Sequence, residues 1–395
     1  MFLARFVAAR GQWGPAQLLP ILLGTGLVLA GCSGLVLDPV LNPSGLPSGG
    51  SSSNGLDGGS DGGAPDGGRA DGGNFDGGRP DAGSADAGTA TDDRFPPGST
   101  IYQDISGAPL DPASTQIIAY LADAGWGTAT MQIDFSFDVL HADATVQPRA
   151  FTPAPGYYSP DCDQVPVPVP PGGTTEGSTS YACDTTRNDC HLLVYQGRRL
   201  YELYQANIVG GTATGSLFTT VCAVVWDLDR DYWQPATPYS RGDQCTSADA
   251  AGLPLAPLLV TGAELQAGIV PHALRFILPN PRMASGVYVH PATHAGAPSG
   301  DALYPPYGAR LRLRADFDLS QLPNAAARAV AVALQKYGMI LADGGNVPLT
   351  MDRSAATYLG PRDLAALQVS DFEMVAPPGA RITLTYDCTR TPVIQ

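Results

Sequence analysis

The sequence predicts an α+β domain, dominated by antiparallel β-sheet in a sandwich-like arrangement, with several short helices and disulfide staples. Three observations predict it. Short alternating or β-branched runs recur from residue 131 onward, some joined by hairpin-length links. Helix start and stop signals are fewer and closely spaced. Six cysteines, an even set, fall inside the same region.

The elements follow in order. Asp111-Pro112 reads as an N-cap with proline at the first helical position. Ile117, Ile118 and Leu121 then share a face before Gly125, so a short helix is predicted. MQIDFSFDVLH (131–141) alternates and predicts one strand. HLLVY (191–195) and LYELYQANI (200–208) flank QGRR, a hairpin signal. LFTTVCAVVWDL (217–228) predicts a longer strand. Thr261 with Glu264 forms a capping box for a helix ending near Gly268. HALRFIL (272–278), VYVH (287–290) and ARLRLRADFDL (309–319) read as strands. Asn324–Tyr337 is the clearest helix, alanine-rich and ended by Gly338. MILAD (339–343), PLTM (348–351) and RITLTYD (381–387) complete the set.

The folded part is preceded by two segments of different character. Arg5 and Arg10 make a basic head, and Leu18–Ala30 is almost wholly apolar. That run is shorter than the ~20 residues a membrane-spanning helix needs, and Pro20, Gly24 and Gly26 interrupt it. Residues 1–31 therefore read as a secretory signal. Its end, Leu29-Ala30-Gly31-Cys32, resembles the lipobox of bacterial lipoproteins. The resemblance implies acylation of Cys32, a bilayer as partner through that lipid, and export to the cell envelope. Ser33, rather than aspartate, then points to the outer membrane. Two or more acyl chains hold a protein on a bilayer stably. The competing reading is an ordinary cleaved signal with a chance cysteine.

Residues 32–98 are then the lipidated cysteine and a disordered tether. Positions 33–98 hold 18 glycines in 66 residues and almost no large apolar side chains, too few to offset the entropy of ordering. Asp61, Asp66, Asp71, Asp76, Asp81 and Asp86 recur every five residues. This spacing does not reproduce the calcium-binding repeat of β-helices, and it suits a self-repelling linker of roughly 40–50 Å r.m.s. span. Residues 99–395 are expected as a single folded extracytoplasmic domain, a monomer.

Charge narrows the function classes. The chain carries a net −15, with a single lysine, Lys336. Nucleic acid is a poor partner for such a surface. With Cys32 assigned to lipid, Cys162, Cys183, Cys190, Cys222, Cys245 and Cys388 remain for disulfides. Proximity in sequence favours Cys183–Cys190 and Cys222–Cys245, leaving Cys162–Cys388. The absence of a CxxC pair argues against zinc, and no metal or cofactor is expected.

The best chemical constellation is carboxylates beside aromatics: Glu202 between Tyr201 and Tyr204, Asp227 after Trp226, and Asp249. Glycoside hydrolysis needs two carboxyls, one protonated and one ionised, and aromatic faces stack on sugars. His272 with a carboxylate could act as general base, and Arg275 could contact ligand on the other side of the same strand. In each case a structural role competes: a solvent-facing glutamate, an aspartate closing a turn, a satisfied core histidine. His290 and His294 are four apart, but Pro291 prevents the helix that would align them. Asp343-Gly344-Gly345-Asn346 reads as a turn without a ligand. No GxSxG, Walker or dinucleotide motif occurs.

Between Asp189 and Asp343 the chain resembles an uncharacterised family of secreted bacterial and fungal proteins. The matching pieces are DCHLLVY, RLYELY, AVVWDL, TSADAAGLPLAPLLV, IVPHALRFILP, VHPATH, PPYGARLRLRADFDLS and ALQKYGMILAD. The resemblance implies an exported or surface role and no particular activity. His290 stands where that pattern has an aromatic, and VPLTMD replaces an aromatic-rich run. The expected function is a surface-displayed domain that binds polysaccharide or cell-wall material. The alternatives are a carbohydrate-active hydrolase or lyase, and a non-catalytic envelope scaffold.

Overall fold

Three runs expected as single strands are each split, and each split sends the chain from one sheet to another. The computed structural model that shows this describes residues 93–233, 241–390 and 392–393. The chain divides into two units, Met1–Ala82 and Gly83–Gln395, and every described residue belongs to the second. The expected signal segment, Cys32 and the tether up to residue 92 lie outside the described residues. No helix among the described residues is long and apolar enough to cross a membrane.

The elements are α1 (Ser114–Ala124), β1 (Ile133–Phe137), β2 (Val139–His141), β3 (Thr152–Pro153), β4 (Leu192–Gln196), β5 (Arg199–Tyr204), β6 (Asn207–Ile208), β7 (Phe218–Thr220) and β8 (Cys222–Asp227). There follow α2 (Gly262–Ala267), β9 (Leu274–Leu278), β10 (Val287–Tyr288), β11 (Arg310–Leu313), α3 (Ala325–Lys336), β12 (Met339–Gly344), β13 (Leu349–Asp352), β14 (Phe372–Val375) and β15 (Ile382–Thr383). A six-stranded sheet has the order β1-β13-β9-β12-β11-β14, and a four-stranded sheet the order β2-β4-β5-β8. A three-stranded sheet, β3-β7-β6, and the ribbon β10-β15 complete the set. Antiparallel pairings outnumber parallel ones, which are β1–β13, β9–β12, β2–β4 and β3–β7.

The splits have local causes. Between β1 and β2 the Val139 amide bonds the Asp352 carboxylate (2.9 Å), and β1 and β2 pair with different strands. Between β5 and β6 Gln205 turns at φ 51°. Between β7 and β8 the Val221 amide bonds the Tyr204 carbonyl (3.1 Å). The β4–β5 hairpin matches its sequence signal, with Gln196 opposite Arg199 and Gly197 at positive φ.

The helices start where a side chain caps them. Thr261 and Glu264 form the expected capping box on α2, which ends at left-handed Gly268. Asn324 caps α3 through the Ala327 amide (2.8 Å). The first helix differs from expectation: Asp111 uses its carboxylate to hold the Ala113 amide in a turn (2.7 Å), so α1 begins at Ser114 rather than at Pro112. The boundary at residue 99 also shifts. Asp93–Gly98 belong to the folded unit because Phe95, 2% exposed, packs edge-on to Trp226, Tyr232 and Trp233.

The four-stranded sheet separates two cores. Leu193, Tyr195, Leu200, Val224 and Trp226 face the main core, shared with the six-stranded sheet and α3. Leu192, Val194, Tyr201, Leu203, Ala223 and Val225 face the second, with Ile208 and Phe218. This alternation fixes which side chains of β5 and β8 share a side.

Cys183 pairs with Cys190 as expected, but the other pairs are Cys162–Cys222 and Cys245–Cys388. Nearness in sequence misleads here. The Asp163 amide bonds the Ala223 carbonyl (2.7 Å), which lays the 154–163 loop along β8. Gln244 instead meets the C-terminal segment through the Thr385 amide (2.6 Å). Non-reducing peptide mapping should therefore recover a 245–388 link and no 222–245 link. A Cys245→Ala/Cys388→Ala double variant should lose about 2–5 kcal/mol of stability in denaturant titration.

Candidate active-site cleft

Most residues that the sequence nominates for chemistry lie inside the protein. Glu202 is fully buried on the main-core side of β5. One carboxylate oxygen accepts the Leu255 and Ala256 amides (2.8 Å each), and the other accepts the Trp226 indole N–H (2.9 Å). Burial pushes its carboxyl up to about 7, against the pull of those three donors. It is a clamp tying β5 to the 255–256 backbone, closed to substrate. Trp226, 0% exposed, is core, and Tyr201 belongs to the second core.

Asp227 neighbours Trp226 in β8, so it lies on the opposite face from Glu202, opposite Arg199. It pairs with the Arg199 guanidinium and closes a turn through the Asp229 amide (3.1 Å). Glu202 and Asp227 are therefore not a catalytic pair. His272 precedes β9 and meets Glu264 (3.2 Å) in a separate cavity of about 460 Å³. There Glu264 is already held by the capping box, which gives His272 a structural partner.

Arg275 and Asp249 do come together, as a buried ion cluster. The Arg275 guanidinium contacts Asp249 (2.8 Å) and Asp343 (2.8 Å), and lies over the Phe137 ring (5.7 Å). Burial would lower Arg275, but Asp249 and Asp343 outweigh it and hold it above its ordinary value. Asp249 is 0% exposed. Beside them His191 contacts Glu176 (2.5 Å) and stacks on Phe137 (5.4 Å). Burial opposes the charge on His191, yet Glu176 raises it to about 9. Burial opposes ionisation of Glu176 too, and His191 holds it below its ordinary range.

Above this cluster lies a cleft of about 710 Å³. Its walls come from many parts of the chain, among them Tyr157–Asp161, Asp189, Tyr204 at the end of β5, the 244–250 loop, Asn280, His294, Asp343 and Gly344 at the end of β12, and Tyr386. Tyr158 and Tyr204 lie nearly parallel, 6.3 Å between centroids and 21° between planes. Tyr386 meets the His294 ring edge-on at 5.8 Å. Tyr158 and Tyr386 are 41% and 67% exposed, so their faces are open to a ligand.

Two carboxylates differ in setting. Asp343 is fixed by Arg275 and by the Gly344 amide (2.7 Å). The Asp189 carboxylate makes no hydrogen bond or ion pair among the described residues, and desolvation raises it, with His191 opposing and Glu176 and Asp343 adding to the rise. Both fields reach Tyr158 and Tyr204. Desolvation first, then Asp189, lifts the Tyr204 hydroxyl to about 12.

Of the sequence-nominated residues, Tyr204 lines the cleft, and Arg275 with Asp249 supports it from behind. Tyr158, Asp161, Asp189, His294, Asp343 and Tyr386 were not nominated. Asp343 and Gly344, read as a turn without a ligand, form part of the wall. A signal was present: Asp161, Asp189 and Tyr386 each lie within two residues of a cysteine. His290 and His294 are not brought together, since His290 meets Asp243 (2.9 Å) and His294 the Ala250 carbonyl (3.0 Å). Among the described residues the one cluster within metal-binding range is Asp161, Cys245 and Cys388, whose sulfurs are bonded to each other. No family model, curated protein or solved structure matches the chain, so the cleft is read from its own chemistry.

The buried pair sets a pH dependence. His191 has a raised folded-state pKa, so its contribution is complete below about pH 6.5 and is lost as pH rises through about 9. Glu176 contributes above its ordinary 4.5 and loses that contribution as pH falls through its lowered value. Unfolding free energy should fall by on the order of 1–3 kcal/mol between pH 6.5 and 9. His191→Gln should flatten that slope in denaturant titrations at stepped pH. Glu202→Ala, which leaves three buried donors unpaired and a void, should cost about 3 kcal/mol or more.

Proposed function

We propose that this chain displays a glycan-binding domain at the bacterial cell envelope, and that the cleft is the binding site. The observation that carries the reading is the combination of exposed tyrosine faces with hydrogen-bonding carboxylates in one recess. Apolar sugar faces stack on tyrosine, and hydroxyls bond Asp161, Asp189, Gln244 and Asn280, all of which line the cleft. The lipobox at Cys32 and the Gly/Asp repeat support anchorage and display. Three disulfides support an oxidising compartment. A bilayer is then the partner at one end and polysaccharide at the other.

A second reading, hydrolysis, is favoured by the contrast between Asp189 and Asp343. One carboxyl raised by desolvation and one paired with a guanidinium are the contrasting settings that a general acid and its counterpart need.

The full chain should be retained by insoluble neutral polysaccharides. Tyr158→Ala should weaken retention about three- to tenfold, and retention unchanged by Tyr158→Ala and Tyr386→Ala would refute the site. New reducing ends that vanish in Asp343→Asn would establish the hydrolase. For the anchor, mass spectrometry of the mature N-terminus should find a diacylated Cys32, and Cys32→Ala should release the chain from membranes.

A further inference from the structure

The charge of the cleft is one-sided. Asp161, Asp189 and Asp343 line it, and among the described residues no lysine or arginine does. Arg275 neutralises Asp343 from behind (2.8 Å). Asp161 accepts the Thr246 amide (2.8 Å) but has no ion pair with a described cation. The Asp189 carboxylate has neither hydrogen bond nor ion pair among the described residues. His294, the one basic side chain among the described lining residues, is lowered by burial, which favours its neutral form.

A carboxylate beside aromatic faces, partly desolvated and unpartnered, lacks a cation. Tyrosine faces attract cations through the ring quadrupole, and a carboxylate forms its strongest hydrogen bonds with charged donors. Asp189 shares its field with the parallel Tyr158–Tyr204 pair, so both recognition elements address one place. We infer that the cleft takes an amine-bearing glycan, whose protonated amino group sits against Asp189 beside Tyr158 and Tyr204. This rests on the glycan reading of the cleft and adds the charge class of its ligand. A neutral sugar would occupy the tyrosine faces and leave Asp189 unpaired. An acidic sugar would meet carboxylates with no cation in the lining to receive it, which selects against it.

The test compares a glucosamine hexamer, its N-acetylated counterpart of equal length and a galacturonate hexamer. Binding to the full chain, with disulfides formed, is measured by calorimetry at low salt and pH 6. The glucosamine hexamer should bind about tenfold tighter than the N-acetylated one, and galacturonate weakest. The gap should narrow in about 0.5 M salt, where exposed charges are screened. Asp189→Asn should abolish the gap, and a thermal unfolding midpoint unchanged from the parent chain would show that the variant is folded. Equal affinities for the two hexamers, or a gap that survives Asp189→Asn, would overturn the charge inference while the glycan reading stands. Failure of every hexamer to bind would remove both.

Discussion

The cleft depends on three disulfides, two of which join segments 60 and 143 residues apart in the chain. Its walls run from Tyr157 to Tyr386, and bringing such distant loops to one place costs closure entropy that short irregular segments cannot offset by packing. Each bridge acts at the wall itself. Cys162 follows Asp161 and fastens that loop to β8. Cys190 follows Asp189 and fastens it to Cys183. Cys245 sits between Gln244 and Thr246 and captures the C-terminal segment that carries Tyr386. The sheets provide the platform, and the covalent links determine which loops face one another across it.

Beneath the walls the same problem is solved by charge. Arg275 projects from β9, between the 249 loop and the end of β12, and satisfies a carboxylate from each. His191 at the edge of β4 does the same for Glu176. Buried ions are costly unless paired, and each pair here has additional hydrogen bonds or an aromatic face to complete it. The consequence reaches the surface. Arg275 is paired with Asp249 and Asp343, and His191 with Glu176, so the cations nearest Asp189 are shared with other carboxylates and the cleft keeps its negative bias.

How far the sequence reveals this arrangement depends on the scale of the signal. Local signals are reliable: the Thr261–Glu264 box, the Asn324 cap and the Gly197 hairpin each depend on atoms within a few residues, and each forms as expected. Signals that need the third dimension fail in a regular way. The 131–141, 200–208 and 217–228 runs carry continuous strand patterning, but a strand pattern does not specify which sheet it joins, and each run changes sheet. Cys222 is nearer Cys245 in sequence, but β8 brings it to Cys162. Glu202 has the polar identity of a surface residue in an alternating strand. It is buried because Leu255, Ala256 and Trp226 supply three donors from elsewhere in the chain.

The tyrosines show why composition alone does not locate a binding surface. Sixteen tyrosines in an acidic chain suggest sugar stacking, but six of them are buried. Tyr181, Tyr195, Tyr201, Tyr232, Tyr288 and Tyr307 are buried, filling space between sheets. Those free to meet a ligand sit on loops or at a strand end: Tyr158, Tyr204 and Tyr386. A tyrosine in a strand is claimed by the core because its neighbours on that face are apolar. Tyr386, two residues before Cys388, lies outside both cores and stays exposed. The pairing of a covalently held loop with an exposed ring, more than the ring itself, marks the cleft in this fold.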